Sequence, residues 1–136
     1  FTKPVEAQKF VEQTSVDCLA VAVGTAHGFY QGDAPRIDLE RIAELKKTLP
    51  VPLVLHGGSS AGDEQLANAV KAGIAKINLF SDLSSAGTNA VREFLDKDEK
   101  IVLGFMPLSM AYGVGVKAYK EMFMHYIQVF GCKNRV

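Results

Sequence analysis

The stretch VPLVLHGGSS, residues 51–60, decides the fold class of this chain. Its first five residues carry no charge and are rich in valine and leucine, which predicts a strand buried on both faces, as in a parallel sheet covered by helices. The run stops at His56, and the two glycines and two serines after it predict a loop. Polar groups at the carboxyl end of a buried parallel strand are typical of a barrel active site.

The segments on either side alternate between helices and apolar strands. VDCLAVAVG (16–24) and IAKINLF (74–80) predict two further buried strands. Apolar residues spaced at i, i+3 and i+4, with Asp38 as a cap and Gly73 as a stop signal, predict the helices. These helices are expected at residues 3–14, 38–49, 63–72, 82–95 and 109–130.

Three parallel strands make a poor sheet on their own, so the pattern favours part of a larger one. We predict an α/β fold, the C-terminal half of a (β/α)8 TIM barrel, which normally has about 250 residues, with an extra C-terminal helix. A small open α/β sheet is the alternative. The chain opens at Phe1 without a methionine. We therefore expect 1–136 to be one partial domain, the last three βα units with a preceding and a C-terminal helix, whose upstream half is absent.

Composition limits the class of partner. The 136 residues are 48% hydrophobic and 22% charged, and 15 basic residues balance 15 acidic ones. A zero net charge offers no field to gather nucleic acid or an anionic membrane, so neither is an expected partner. No run reaches the roughly 18 apolar residues that span a bilayer. Cys18 lies in an apolar run, which predicts a buried reduced thiol and fits a cytoplasmic protein.

His27 and His56 are the candidate metal ligands. Each follows a predicted strand and precedes a glycine, so both are expected at the same edge of the sheet. Neutral imidazole is a good zinc ligand, and a catalytic zinc takes three protein ligands and one open position. The alternative is that each histidine is a hydrogen-bonded structural residue. His125 lies in the last predicted helix, where a packing or surface role is expected.

Two loops offer donors for an anion. Gly57–Ser60 predicts a phosphate cradle, because bare backbone N–H groups and a helix N-terminus attract anions. Asn78 and Ser81 offer a second set beside the next helix. If these loops follow the last two strands of a barrel, both face one phosphate. The alternatives are an ordinary turn for the first loop and an N-cap by Ser81 or Asp82 for the second.

Four segments in order carry a resemblance to a known family: DCLAVAVGTAHGFYQG (17–32), VPLVLHGGSS (51–60), KAGIAKINLFSDL (71–83) and FGCKNRV (130–136). Together they resemble the class II, zinc-dependent fructose- and tagatose-bisphosphate aldolases. The resemblance covers nearly the whole chain and is weakest between residues 97 and 108. The family fold is a (β/α)8 barrel, and this chain looks like its carboxyl-terminal half.

The resemblance implies residue roles. His27 and His56 fall on two of the three zinc-ligand positions, while the third ligand, the catalytic aspartate and the mobile-loop acid belong to the upstream half. No catalytic acid is therefore expected here, and the isolated segment is expected to be inactive. A monovalent cation, Na⁺ or K⁺, is common near the phosphate in this family. The positions that hold the phosphate of dihydroxyacetone phosphate fall on Gly28, Gly57, Gly58, Ser59, Asn78, Leu79, Phe80 and Ser81.

The implied reaction is reversible zinc-dependent cleavage of a fructose- or tagatose-type ketose 1,6-bisphosphate to dihydroxyacetone phosphate and an aldehyde, glyceraldehyde 3-phosphate. The implied enzyme is a cytoplasmic homo-oligomer, a dimer or a tetramer. Ser60 replaces a frequent glycine, Ser81 replaces threonine, and Phe80 replaces the aspartate of the larger fructose-bisphosphate branch, which points away from that branch. Two alternatives stay open: a metal-free phosphate-binding barrel enzyme using Lys76 or an upstream residue, and a non-catalytic assembly subunit.

Overall fold

The computed structural model describes residues 1–26, 35–97 and 108–134. Within them helices and parallel strands alternate as predicted, and one long helix follows. The elements are α1 (Pro4–Thr14), β1 (Leu19–Ala20), α2 (Leu39–Thr48), β2 (Leu53–Leu55), α3 (Asp63–Ala72), β3 (Ile74–Ile77), α4 (Ser81–Leu95) and α5 (Leu108–Val129).

The three described strands form one parallel sheet in the order β1-β2-β3. The central strand β2 is wholly buried, which confirms the interpretation of its apolar run. The outer strands are shorter than predicted, because a ladder continues only where a neighbouring strand offers partners. At the β1 edge, one further bond runs from the Val21 N–H to the Val54 carbonyl, 3.1 Å away.

Helix ends follow local sequence signals in the first half of the chain. The Asp38 carboxylate accepts a hydrogen bond from the Arg41 N–H at 2.8 Å, so the predicted cap of α2 is confirmed. Helix α3 has the predicted bounds and ends at Gly73, whose N–H donates to the carbonyls of Ala69 and Val70. These signals are reliable because a cap satisfies backbone groups within one helical turn.

The chain divides into two compact units. The first unit comprises Phe1–Leu79 with Val129–Gly131 and contains the sheet. Its core is made by the apolar faces of the strands and of the helices that cover them. The largest fully buried side chains of the described residues all belong to this unit: Val23, Ile42, Leu45, Leu53, Leu55 and Leu66.

The second unit comprises Phe80–Gln128 with Cys132–Val136. Helices α4 and α5 approach closely at Gly87 and Gly115: a Cβ on Gly87 would lie 3.2 Å from the Gly115 carbonyl oxygen. Further along α5 Tyr126 is buried, whereas other large apolar side chains of that helix are exposed: Tyr112, Val116, Tyr119 and Phe123. None of the helices in the described ranges is both long and apolar enough to cross a membrane.

The expectation of a buried Cys18 is wrong, because its side chain is exposed. Cys18 precedes β1, which lies at an edge of the described sheet, so no second strand covers it. An apolar run predicts that a segment packs somewhere, but it does not predict which of its residues face solvent.

Candidate functional site

His56 and Asn78 lie side by side at the carboxyl ends of β2 and β3. Asn78 follows β3 directly, and its N–H donates to the Leu55 carbonyl at 2.9 Å, extending the pairing one residue beyond the strand. The amide nitrogen of the Asn78 side chain then lies 3.3 Å from Nδ1 and 3.2 Å from Nε2 of His56. Both side chains are half-buried. Two of the predicted site residues are therefore brought together by the parallel register.

Thr25 connects the end of β1 to the same histidine. Its hydroxyl donates to the His56 main-chain carbonyl, and the Oγ1–O distance is 2.6 Å. Thr25 stands two residues before His27 in the sequence, but His27 and Gly28 lie outside the described residues. Sequence reasoning missed Thr25; its place between a strand-ending glycine and a candidate ligand was the available signal.

The two glycines after His56 lie in close contacts, with backbone at Gly57 and with side chains at Gly58. Gly57 has a φ of +67°, and a Cβ there would lie 2.1 Å from the Ala26 carbonyl oxygen. A Cβ on Gly58 would lie 2.7 Å from Cγ2 of Ile77, and the Gly58 N–H donates to the Asn78 carbonyl at 3.4 Å. Since real Cβ atoms do not approach other atoms so closely, packing alone favours glycine at both positions.

The serines complete the turn. Ser59 is only 6% exposed, and the Ala61 N–H donates to the Gly58 carbonyl at 3.2 Å. Ser60 has a φ of +61°, in the left-handed region that glycine adopts most easily. Helix α3 begins three residues later with two acidic residues in its first turn, so its positive N-terminal end is already complemented within the helix.

The second predicted set of donors spans the boundary between the units. Asn78 and Leu79 end the first unit, while Phe80 and Ser81 begin the second. Phe80 is the N-cap of α4, is 74% exposed, and supplies no side-chain cap. The alternative N-cap by Ser81 or Asp82 is therefore wrong, because both residues already lie in the first turn of the helix.

The carboxylate of Asp82 does not cap α4 but accepts a hydrogen bond from a tyrosine on α5. Within the second unit the Tyr126 hydroxyl donates to Oδ2 of Asp82 at 2.5 Å, tying the buried end of α5 to the first turn of α4. Sequence reasoning missed this contact, since 44 residues separate the partners. The His125 ring is exposed and meets the Tyr126 ring edge-on, with centroids 5.3 Å apart, which agrees with a surface role.

The predicted zinc site can be compared with the possible metal ligands among the described residues. His56, at the end of β2, carries an imidazole, which is one of the side chains that bind zinc. In residues 1–26, 35–97 and 108–134 no group of three or more His, Cys, Asp or Glu side chains is positioned to hold a metal ion. Lys76, the candidate of the metal-free alternative, is exposed in β3.

Comparison with a family model tests the predicted resemblance. The family model of class-II fructose-bisphosphate aldolase matches residues 1–135. The chain belongs to the class II fructose-bisphosphate aldolase family. The predicted resemblance is thereby confirmed for nearly all of this aldolase-family chain, including the stretch between residues 97 and 108.

Solved structures agree on the fold. The YdjI aldolase from Escherichia coli K12 is 34% identical, with a TM-score of 0.82 over 98% of this chain and 46% of that one. A putative fructose-1,6-biphosphate aldolase from Coccidioides immitis shows the same fold, with 24% identity and a TM-score of 0.80 over 98% of this chain and 44% of that one. Fructose-bisphosphate aldolase from Campylobacter jejuni also shows it, with 20% identity and a TM-score of 0.81 over 99% of this chain and 47% of that one. This aldolase-family chain thus spans a little under half the length of these proteins, and the predicted fold class, part of an aldolase barrel, is confirmed.

Proposed function

We propose that the protein containing this chain is a zinc-dependent class II ketose-bisphosphate aldolase. It cleaves a ketose 1,6-bisphosphate of the fructose or tagatose type, reversibly, to dihydroxyacetone phosphate and glyceraldehyde 3-phosphate. The family match across residues 1–135 carries this proposal. The contact between His56 and Asn78 at neighbouring strand ends supports it, since barrel enzymes place their functional groups there.

His27 and His56 are the proposed zinc ligands in this chain, and a third comes from outside these 136 residues. When bound, zinc acts as a Lewis acid that polarises a carbonyl group of the substrate. In the proposed site Asn78 packs against the His56 imidazole, with its side-chain amide nitrogen 3.2–3.3 Å from both ring nitrogens.

The remaining predicted residues are the proposed binding site for the phosphate of dihydroxyacetone phosphate. Glycines let backbone N–H groups approach phosphate oxygens, and helix N-termini attract anions. A Na⁺ or K⁺ ion beside the phosphate completes the proposed site. Its residues are Gly28, Gly57, Gly58, Ser59, Asn78, Leu79, Phe80 and Ser81.

The choice of ketose and the assembly are part of the same proposal. Phe80 stands where the larger fructose-bisphosphate branch carries aspartate, which points away from that branch without selecting among ketose bisphosphates and related sugar phosphates. We place the enzyme in the cytoplasm as a dimer or tetramer of identical subunits, acting on a phosphorylated sugar and on neither nucleic acid nor membrane.

Metal analysis and a cleavage assay of the intact protein test the proposal. We expect one zinc per subunit, loss of that zinc in His27→Ala and in His56→Ala, and release of dihydroxyacetone phosphate from fructose or tagatose 1,6-bisphosphate. His125→Ala is the matched control, because its ring is exposed on α5, and it is expected to keep both properties. The 136-residue chain assayed alone is expected to give no turnover.

Two outcomes contradict the proposal. Unchanged zinc content in both histidine variants would remove the ligand assignment. Full activity after a chelator has stripped the metal would favour the metal-free enzyme instead, and Lys76→Ala would then be the next variant to assay.

A further inference from the structure

Helices α4 and α5 lie alongside each other within the second unit. A Cβ on Gly87 of α4 would lie 3.2 Å from the Gly115 carbonyl oxygen of α5, and a Cβ on Gly115 would lie 2.9 Å from Cγ2 of Val91. Apolar packing of this kind is non-directional. It therefore limits the distance between the two helices more than it limits the rotation of α4 about its own axis.

A directional contact is made at the start of α4. The Tyr126 hydroxyl donates to Oδ2 of Asp82 at 2.5 Å, and Tyr126 is only 7% exposed. Such a bond weakens steeply when its angle is distorted, and a carboxylate acceptor makes it stronger than a bond between neutral groups. The residue after Asp82, Leu83, is also buried. The first turn of α4 is therefore held by a polar contact and by an apolar one.

Ser81 lies in the same turn as Asp82. It is the first residue of α4 and is half-buried, and in the proposed function it binds the phosphate of dihydroxyacetone phosphate. Neighbouring residues of an α-helix leave its axis about 100° apart, since one turn contains 3.6 residues. Because this offset is constant, a contact that fixes the direction of Asp82 also fixes the direction of Ser81.

We propose that Tyr126 is a positioning residue for the substrate phosphate. It acts through Asp82, because their hydrogen bond sets the rotation of the first turn of α4 and thereby the direction in which Ser81 leaves the helix. Less ordering of the site is then left for the binding step. This inference rests on the proposed function, in which Ser81 binds the phosphate.

The test measures the binding of dihydroxyacetone phosphate to the intact protein. Isothermal titration calorimetry gives the dissociation constant, at a temperature where thermal unfolding shows every variant to be folded. We expect Tyr126→Phe to raise this constant about 3- to 100-fold, the range of coupling within one hydrogen-bonding network. In the cleavage assay it should raise KM and leave kcat almost unchanged, as the loss of uniform binding does. A tyrosine that only stabilised the fold would change neither KM nor the dissociation constant.

A double-mutant cycle shows whether Tyr126 acts through Asp82. Asp82→Ala removes the acceptor and is expected to weaken binding, and in that background Tyr126→Phe should cause no further loss. Additive losses would overturn the route through Asp82. Tyr112→Phe is the matched control, because it removes a hydroxyl from an exposed tyrosine of the same helix, and its affinity is expected to equal that of the unaltered protein.

The outcomes separate this inference from the proposed function. If the unaltered protein does not bind dihydroxyacetone phosphate, or if Ser81→Ala binds it equally well, the proposed phosphate site fails and the inference with it. If Ser81→Ala weakens binding while Tyr126→Phe binds like Tyr112→Phe, the positioning role alone is overturned. A Tyr126→Phe protein that does not fold leaves the decision to Asp82→Ala, where an unchanged affinity again overturns the inference.

Discussion

Replacing Gly57 with alanine tests the closest backbone contact at the candidate site. The added Cβ would lie 2.1 Å from the Ala26 carbonyl oxygen and 2.8 Å from its carbon, at a φ of +67°. The left-handed backbone alone costs a residue with a Cβ about 1–2 kcal/mol. Forcing the neighbouring main chain aside adds about 1–3 kcal/mol. We therefore expect Gly57→Ala to lower the free energy of unfolding by about 2–5 kcal/mol, the sum of those two ranges.

Gly131→Ala separates the two contributions. Gly131 has the same φ of +67°, but apart from its chain neighbours no atom of the described residues lies within 4 Å of the Cβ position. Its substitution should cost only the conformational part, about 1–2 kcal/mol. The assay is urea unfolding of the intact protein, with the two midpoints compared at an unchanged dependence on denaturant. The difference between the variants then measures the contact with Ala26.

Equal losses in the two alanine variants would refute the reasoning. They would mean that the Ala26 carbonyl does not approach Gly57, and that the glycine is needed for its φ alone. They would also remove one of the contacts that bring the backbone before His27 against the end of β2.

Two further predictions concern single hydrogen bonds, both measured by the same unfolding assay. Tyr126→Phe removes the donor to the Asp82 carboxylate and should lower the free energy of unfolding by about 1.5–3 kcal/mol. Its control, Tyr112→Phe, lies at a site 64% exposed and should change that free energy by less than about 0.5 kcal/mol. Similar values for both variants would contradict the buried contact. Asp38→Ala removes the acceptor for the Arg41 N–H and should lower the free energy of unfolding by about 0.5–2 kcal/mol, while Asp38→Asn should retain most of the cap. An equal loss of stability in the asparagine variant would argue against capping.

Much of the first unit could be predicted because its signals are local. Helix α3 has the predicted bounds, and Asp38 caps α2, since apolar spacing and capping each act within a turn or two of helix. The wrong predictions depended on distant neighbours. The exposure of Cys18 depends on what covers the edge of the sheet, and the start of α4 at Ser81 is accompanied by a contact from Tyr126 on another helix.

At the candidate site, too, local features could be predicted, whereas contacts between distant residues could not. The sequence indicated that His56 and Gly57 follow a strand, because they come directly after an apolar run, and it placed Asn78 near the end of the next predicted strand. It did not predict which atoms meet. The bond between Asn78 and Leu55 and the approach of Ala26 to Gly57 depend on the register of neighbouring strands, which no short stretch of sequence encodes.

By itself the sequence determined the fold class, the order of helices and strands, the family, and the residue types that end each strand. These follow from periodicity, local backbone preferences and motifs, all of which act over a few neighbouring residues. The tertiary structure alone decided that the Asn78 amide lies against the His56 ring, that the Thr25 hydroxyl donates to the His56 carbonyl, and that the Gln65 amide bonds to the backbone of residues 35 and 37. The physical reason is that these bonds join residues 22 to 31 positions apart, and only the packing of three strands and a helix brings them within hydrogen-bonding distance.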